Sequence, residues 1–595
     1  MKTIINITKA GICGFVCLLM VSCNSVMDTE PLDKFSENLV WGTRANADAF
    51  VYSTYRDIFT SFYIQYTQEE AWTSNNINYS GENLTRDLIT RESDYGFNKF
   101  AQIRRCNLII EKAAASTGLT ENDKKELVAE GKFLRASVYF WLARRFGIVV
   151  WIDRPLTSEE EDYKLPTTPD AKTTYDYIIK DLEDAVAGMP EESLTGRGNK
   201  YAAYALLSEV CLQAAAYTGD ATLYQKAIDA ADAVINSGKY QLDSDYGSIF
   251  NENGRYSNEI IFGRYYDSEV TTCGNIRDLQ QGVPNVKNQT LINYGGEPLF
   301  KVDMIFEAWL EFAPSHNITD QYDVIDQATG KGVSLYESSQ YKANVQEAAP
   351  PSGYVKEVYV TNGKINDIIY ANRDKRFYDS FVYDSCTWFN ELVTTNENGN
   401  LRRSIENPEN ERHCTSSGYY WRKGVYTISP RVYIGLPADY HYVIFRLGKL
   451  YLNKAEALLQ QGKVSEALAA LNQTRTIHGQ MPEATASNLD EAWKVYKRER
   501  RVEMAKEGDV YWTLMRWGKY GGPANGGAAP GGKIAELVEV PLKIDISVDR
   551  KRYKLSPITL ANNHERAFDE SRRYLLPIPQ AQRVRNENLG QNPGY

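Results

Sequence analysis

The chain has 595 residues, 43% of them apolar and 24% charged, with 67 basic against 77 acidic side chains and a formal charge of −10. That balance excludes a nucleic-acid partner, whose phosphates call for clustered Lys and Arg. The composition is that of a globular protein with a large core, in several domains or in one large domain with insertions.

At the N-terminus Lys2 and Lys9 precede an apolar run from Ala10 to Val21, and Val21 and Ser22 lead directly into Cys23. The run is shorter than the roughly 20 residues of a membrane span and reads as a signal peptide over 1–22. A cysteine at the cleavage point marks the lipoprotein type, in which Cys23 receives acyl chains. Met20 stands where such signals usually have Leu, and neither Cys13 nor Cys17 follows a small residue. Residues 23–40, with Asp28, Glu30 and Pro31, read as a lipidated tether. Removing 1–22 leaves 65 basic against 77 acidic residues, a charge of −12. Besides Cys23 it leaves Cys106, Cys211, Cys273, Cys386 and Cys414. Five widely spaced cysteines make no disulfide framework; buried free thiols are expected, with a Cys386 to Cys414 bridge as the alternative. No later segment reaches 18 apolar residues without charge, so the processed chain is expected to be soluble and tethered.

Thr120 predicts the cap of a long helix in which Leu127, Leu134, Val138 and Trp141 recur at helical spacing, with Gly131 and Ala136 among them and Gly147 as the stop. Tyr201 to Tyr217 repeats the pattern through Ala202, Ala205, Leu206 and Val210, breaks at Gly219-Asp220, and resumes from Tyr224 to Gly238. Two helices and a tight turn have about the length of a tetratricopeptide unit. Phe445 to Ile477 predicts another such pair around Gly462. These stripes read as core packing, not as ligand contacts. Between Tyr240 and Tyr442 the helical period fades into short strand-like runs such as Ile260–Phe262 and Tyr354–Val360, and twenty of the 41 tyrosines lie there. A second aromatic and amide cluster runs from Tyr52 to Tyr95. Loops on a rigid frame usually carry binding residues, so both regions are candidate sites. Gly521 to Gly532 reads as a surface loop.

Many short blocks then occur in one order. They include Glu130-Gly131-Lys132-Phe133-Leu134-Arg135-Ala136 with Arg145-Phe146-Gly147, then Gly196-Arg197, then Asn258-Glu259-Ile260. Asp374-Lys375-Arg376-Phe377, Gly418-Tyr419 with Lys423, and Arg446-Leu447 follow. The last are Glu499-Arg500-Arg501-Val502-Glu503, Glu507-Gly508, Leu575-Leu576-Pro577-Ile578-Pro579 and the closing Asn592-Pro593-Gly594-Tyr595. Together they resemble the SusD/RagB family of outer-membrane nutrient-binding lipoproteins, typified by SusD of the starch-utilisation system. The resemblance implies a mainly α fold. A tetratricopeptide-like helical-repeat scaffold, about 41–238 and 440–520, would carry a large irregular insertion of loops and short strands, about 239–439, with 521–595 closing a single domain over 41–595. It also implies a noncatalytic, cell-surface lipoprotein that captures an oligosaccharide and lids a SusC-like TonB-dependent transporter of the outer membrane. The Arg500, Arg501, Glu503 and Glu507 cluster reads as helix packing.

Other chemistry finds little support. His316, His413, His441, His478 and His564 never fall at the i, i+4 spacing of a helical metal site, and no Gly-x-Ser-x-Gly elbow occurs. Gly527 to Lys533 imitates a phosphate loop, but Ile534 replaces the hydroxyl residue that would hold magnesium. Asp243, Asp245 and Gly247 form an incomplete calcium loop. No cofactor is expected. A sugar offers an apolar face and a rim of hydroxyls, and so needs exposed aromatic platforms beside planar amides or charges. Gln68, Trp72, Asn75, Asn76, Asn78 and Tyr79 supply both within a dozen residues, in a stretch too rich in amides to be expected inside. Tyr294, Trp309 and Trp388 are further candidates in the irregular region. The competing readings are a lipid-anchored glycan-degrading enzyme, a peptide-binding relative and a scaffold that binds only protein.

Overall fold

The computed structural model describes residues 37–61, 66–156, 164–286, 306–389, 391–402, 414–426, 435–520 and 534–595. The signal peptide, Cys23, residues 24–36 of the tether, His413 and the Gly521–Lys533 segment lie outside the described residues.

The fold is mainly α. Its longer helices are α1 (Arg44–Ser61), α2 (Phe100–Ala115), α3 (Glu121–Phe146), α4 (Ala171–Gly188), α5 (Lys200–Thr218) and α6 (Thr222–Ile235), followed by α7 (Leu447–Gln460), α8 (Val464–Ile477), α9 (Leu489–Glu503) and α10 (Val510–Tyr520). Consecutive helices from α2 to α6 pack side by side, α7 packs on α6, and α7 to α9 continue the stack, so the two repeat segments form one scaffold across the intervening insertion.

Helix ends follow the local chemistry. The Thr120 side chain accepts from the Asp123 amide at 3.2 Å while the Asp123 carboxylate accepts from the Thr120 amide, and this capping box starts α3. Gly147, at φ +72°, ends it, and a Cβ there would fall 2.9 Å from Leu575. The Asn199 side chain caps α5, which stops at left-handed Gly219. A Cβ on Gly131 would fall 2.8 Å from Ile110, so the missing side chain is what lets α3 lie close on α2.

The strands that position the site are β1 (Asn76–Asn78), β2 (Ile260–Tyr265), β3 (Phe312–Pro314), β4 (Val345–Ala348), β5 (Lys356–Val360), β6 (His441–Arg446), β7 (Leu542–Ile546) and β8 (Arg552–Pro557). β2 and β6 pair antiparallel, with Tyr265 opposite His441 and Ile260 opposite Arg446, so the two ends of the insertion are joined just before α7 begins. β4 and β5 of the insertion join β7 and β8 of the C-terminal segment in a four-stranded sheet, in the order β7-β8-β5-β4, which covers a second core around Tyr322, Phe377, Phe381 and Trp421.

A buried charged seam ties the insertion to the scaffold. His478 lies between Glu259 and Glu503, at 2.8 Å from each. Arg446 donates to Glu259, Glu503 and Glu507, and Arg376 to Asp374, Glu499 and Glu503. These groups come from β6, the C-terminal end of α8, α9 with the turn after it, and two insertion segments, and all but His478 belong to the ordered sequence blocks. Their role is therefore packing, as the Arg500 to Glu507 spacing suggests: Arg500 pairs with Asp509 at 2.8 Å in the interior. Cys106, Cys211, Cys273, Cys386 and Cys414 are buried free thiols, so the Cys386 to Cys414 bridge is not formed.

Candidate functional site

The two segments singled out in the sequence meet in space. β1 pairs antiparallel with β3, with Asn76 opposite Pro314 and Asn78 opposite Phe312, which brings residues 76–79 against residues 311–314. The floor is the short helix Arg277–Gly282. The Trp309 amide donates to the Gln280 carbonyl at 2.6 Å, the Glu311 amide to the Gln281 carbonyl at 2.9 Å, and the Tyr79 amide to the Glu311 carbonyl at 2.9 Å. Buried Ala308 and Leu310 anchor the strip from which Trp309 projects, 47% exposed.

The same segments carry bonded polar side chains. Arg277 donates from Nε to Gln281 Oε1 at 2.7 Å and from Nη1 to Gln68 Oε1 at 3.2 Å, with its guanidinium 5.4 Å from the Phe312 ring. Asn78 Nδ2 donates to Glu82 Oε1 at 2.8 Å. Burial pushes the Glu82 carboxyl above the usual carboxylate range, against the pull of the Asn78 amide. An exposed indole on segments that also carry a guanidinium, three amides and a carboxylate offers the kinds of group that a sugar's apolar face and hydroxyl rim require.

The structure corrects the expectation of an exposed Trp72 to Tyr79 cluster. Trp72 is 5% exposed and packs edge-on against Tyr511 and Trp512, with ring centroids at 5.1 and 6.0 Å. Asn75 is buried, its Nδ2 donating to Glu70 at 2.6 Å and its Oδ1 accepting from Arg501 at 2.7 Å. Asn76 is buried and accepts from the Trp421 indole at 3.0 Å. Half-buried Tyr79 donates to the Cys414 carbonyl at 3.1 Å and accepts from the Ser416 amide at 2.9 Å. Amides go inside at little cost when they are bonded, and Arg501, Trp421, Cys414 and Ser416 come from distant segments. Trp388 is also interior, stacked on Phe389 at 4.4 Å. Tyr294 lies outside the described residues. Arg277, Gln281 and Glu311 carry no local sequence signal; they are found only because Trp309 is pinned to their helix.

Glu259, His478 and Glu503 bring three potential metal-ligand atoms within 4.8 Å. Both imidazole nitrogens already face carboxylates, and Arg446 and Arg376 occupy the remaining oxygens, so the trio is filled by internal ion pairs. The incomplete calcium loop is a turn in which Asp243 accepts from the Asp245 amide and from the Ser257 hydroxyl. Among the described residues no helix is long and apolar enough to cross a membrane.

Comparison with known proteins gives two family matches: the SusD family over residues 258–595, and a family described as "starch-binding associating with outer membrane" over residues 28–212. The chain is similar to SusD-like protein P2 of Formosa agariphila, 24% identical over 504 residues, which cover 81% of this chain and 77% of that protein. It is 32% identical over 150 residues to the starch-binding protein SusD of Bacteroides thetaiotaomicron, about a quarter of each chain. A SusD-like protein of Bacteroides fragilis superposes with a TM-score of 0.71 at 24% identity, covering 95% of this chain and all of that one, which is a likeness of fold.

Proposed function

The chain belongs to the SusD family, and from that premise we propose that it is a noncatalytic glycan-binding lipoprotein that captures an oligosaccharide on the cell surface and delivers it to a TonB-dependent transporter as that barrel's lid. The observation that supports the reading is the convergence of two sequence-distant aromatic and amide segments, where Trp309, 47% exposed, is the candidate aromatic most open to solvent among the described ones and its backbone is bonded to the Arg277–Gly282 helix. Lipidation of Cys23 provides the attachment, because acyl chains hold a chain that the bilayer would otherwise release.

The test is a panel of oligosaccharides titrated into purified protein while binding heat and reducing ends are followed together. Heat without product is the expected result. Product release establishes the lipid-anchored enzyme instead, and heat with peptides alone establishes a peptide-binding relative. Mild detergent extraction at native expression should bring down a much larger outer-membrane protein; a lone monomer in several detergents overturns the lid.

A further inference from the structure

A second groove lies between α1, the loop around Gly196 and β2, and shares no lining residue with the Trp309 face. It has two lobes, of about 430 and 270 Å³, joined along Gly196, Phe262 and Tyr265. Each is of the size, or nearly the size, of a small-ligand site, roughly 300–1,000 Å³. The larger lobe is walled by Tyr52, Tyr55 and Phe59 and has Arg56 and Arg264 facing it, with no acidic residue in its lining. The smaller opens onto Tyr256, whose ring is 69% exposed and stacked on Tyr265 at 5.8 Å and 14°.

The two arginines are the unusual feature of a chain whose charge is −10. Neighbouring Arg197 is held by Asp48 and Glu130. Among the described residues Arg56 and Arg264 have no carboxylate partner. Arg264 donates from Nη1 to the Tyr265 carbonyl at 2.8 Å, and its Nε is buried without a partner. Burial, and then the like charge of Arg56, holds the Arg264 guanidinium below its usual range. An anion between two such guanidinium groups relieves their repulsion and fills the empty donor.

We propose that this groove is a second binding site, for an acidic saccharide, with a uronate carboxylate between Arg56 and Arg264 and the adjoining sugar ring against Tyr256. The anion follows from the arginines alone; that it is carried by a sugar rests on the glycan reading above. The test titrates an oligoglucuronate, the uncharged oligoglucose of the same length and linkage, and its sulfated counterpart into wild type, Arg56→Gln, Arg264→Gln and Trp309→Ala. Oligoglucuronate should bind the wild type in a salt-sensitive manner and lose about tenfold in affinity with either arginine change. Trp309→Ala should leave it unaltered. Arg56 is exposed, so its variant should fold even where Arg264→Gln does not. Unchanged affinity in Arg56→Gln, equal binding of the uncharged oligomer, preference for the sulfated one, or loss confined to Trp309→Ala each overturns the proposal. Oligoglucuronate binding that needs Arg56 upholds it even where nothing binds at Trp309, which separates this site's fate from that of the first.

Discussion

The charged seam around Glu503 and the face around Trp309 are built from the same residue types and do opposite things. In the seam Arg446, Arg376 and His478 turn their donors to buried carboxylates of the same chain, with one Arg446 donor on the Glu503 carbonyl. On the face, Trp309 leaves about half its surface open on a strip whose backbone is bonded to the Arg277–Gly282 helix. Whether an arginine or an aromatic ring holds the fold or offers itself to a ligand is thus decided by what the chain brings over it. The ordered sequence blocks at Glu259, Asp374 to Phe377, Arg446, Glu499 to Glu503 and Glu507 lie in the seam, so part of what makes the family recognisable is what holds the insertion onto the helices.

The contrast is tested most severely in the seam. Arg446→Met leaves Glu259, Glu503 and Glu507 short of a partner, and removing one member of a buried ion network costs about 3–5 kcal/mol. Trp72→Ala should cost a similar amount, about 3–5 kcal/mol, by opening a cavity against Tyr511 and Trp512. Both losses are read from chemical denaturation. A Trp72→Ala variant of unaltered stability would return that residue to the list of binding platforms.

The seam should also make stability depend on pH. Burial opposes charge on His478, but Glu259 and Glu503 prevail and push its pKa up to about 9. A raised folded-state pKa gives stability that is complete below the unfolded value near 6.5 and is lost as pH rises toward 9. The full effect is on the order of 3 kcal/mol, about half of it gone by pH 8. Above that pH, Lys423, held down to about 8 by burial, contributes with the opposite sign, and Glu70, pushed up to about 7 by burial, adds to the fall near pH 7 in wild type and variant alike, so the window for comparing the two is about 6.5 to 8. Unfolding free energies of wild type across that window should fall, and those of His478→Asn should be flatter; equal slopes would place the proton elsewhere.

What could be read from the sequence divides along the same line. Thr120, Gly147 and Gly219 act through neighbours within a few residues, and the structure places those helix ends where the local signals put them. Asn75 and Asn76 misled because their partners, Arg501 and Trp421, lie 426 and 345 residues away, and a local count of amides contains nothing of either. Trp309 was visible as an aromatic in an irregular region. Arg277 and Gln281 were not, since only the backbone bonds from Trp309 and Glu311 to the Arg277–Gly282 helix make them its neighbours.

The smallest expected effect is the most informative about function. Trp309→Ala removes a ring already half in water, so its cost to stability should lie within the few tenths of a kcal/mol usual for surface changes. Stacking on an exposed aromatic adds about 0.5–1.5 kcal/mol to sugar binding beyond the area covered, so affinity for a neutral oligosaccharide should fall by roughly several-fold to tenfold. Trp309→Phe should recover part of it, since a smaller ring still offers a face. Calorimetric titration of the three proteins with one bound glycan decides the matter. Equal affinities would remove Trp309 from the site, whereas loss of binding with an intact melting transition would place recognition on the open face and leave the seam to the fold.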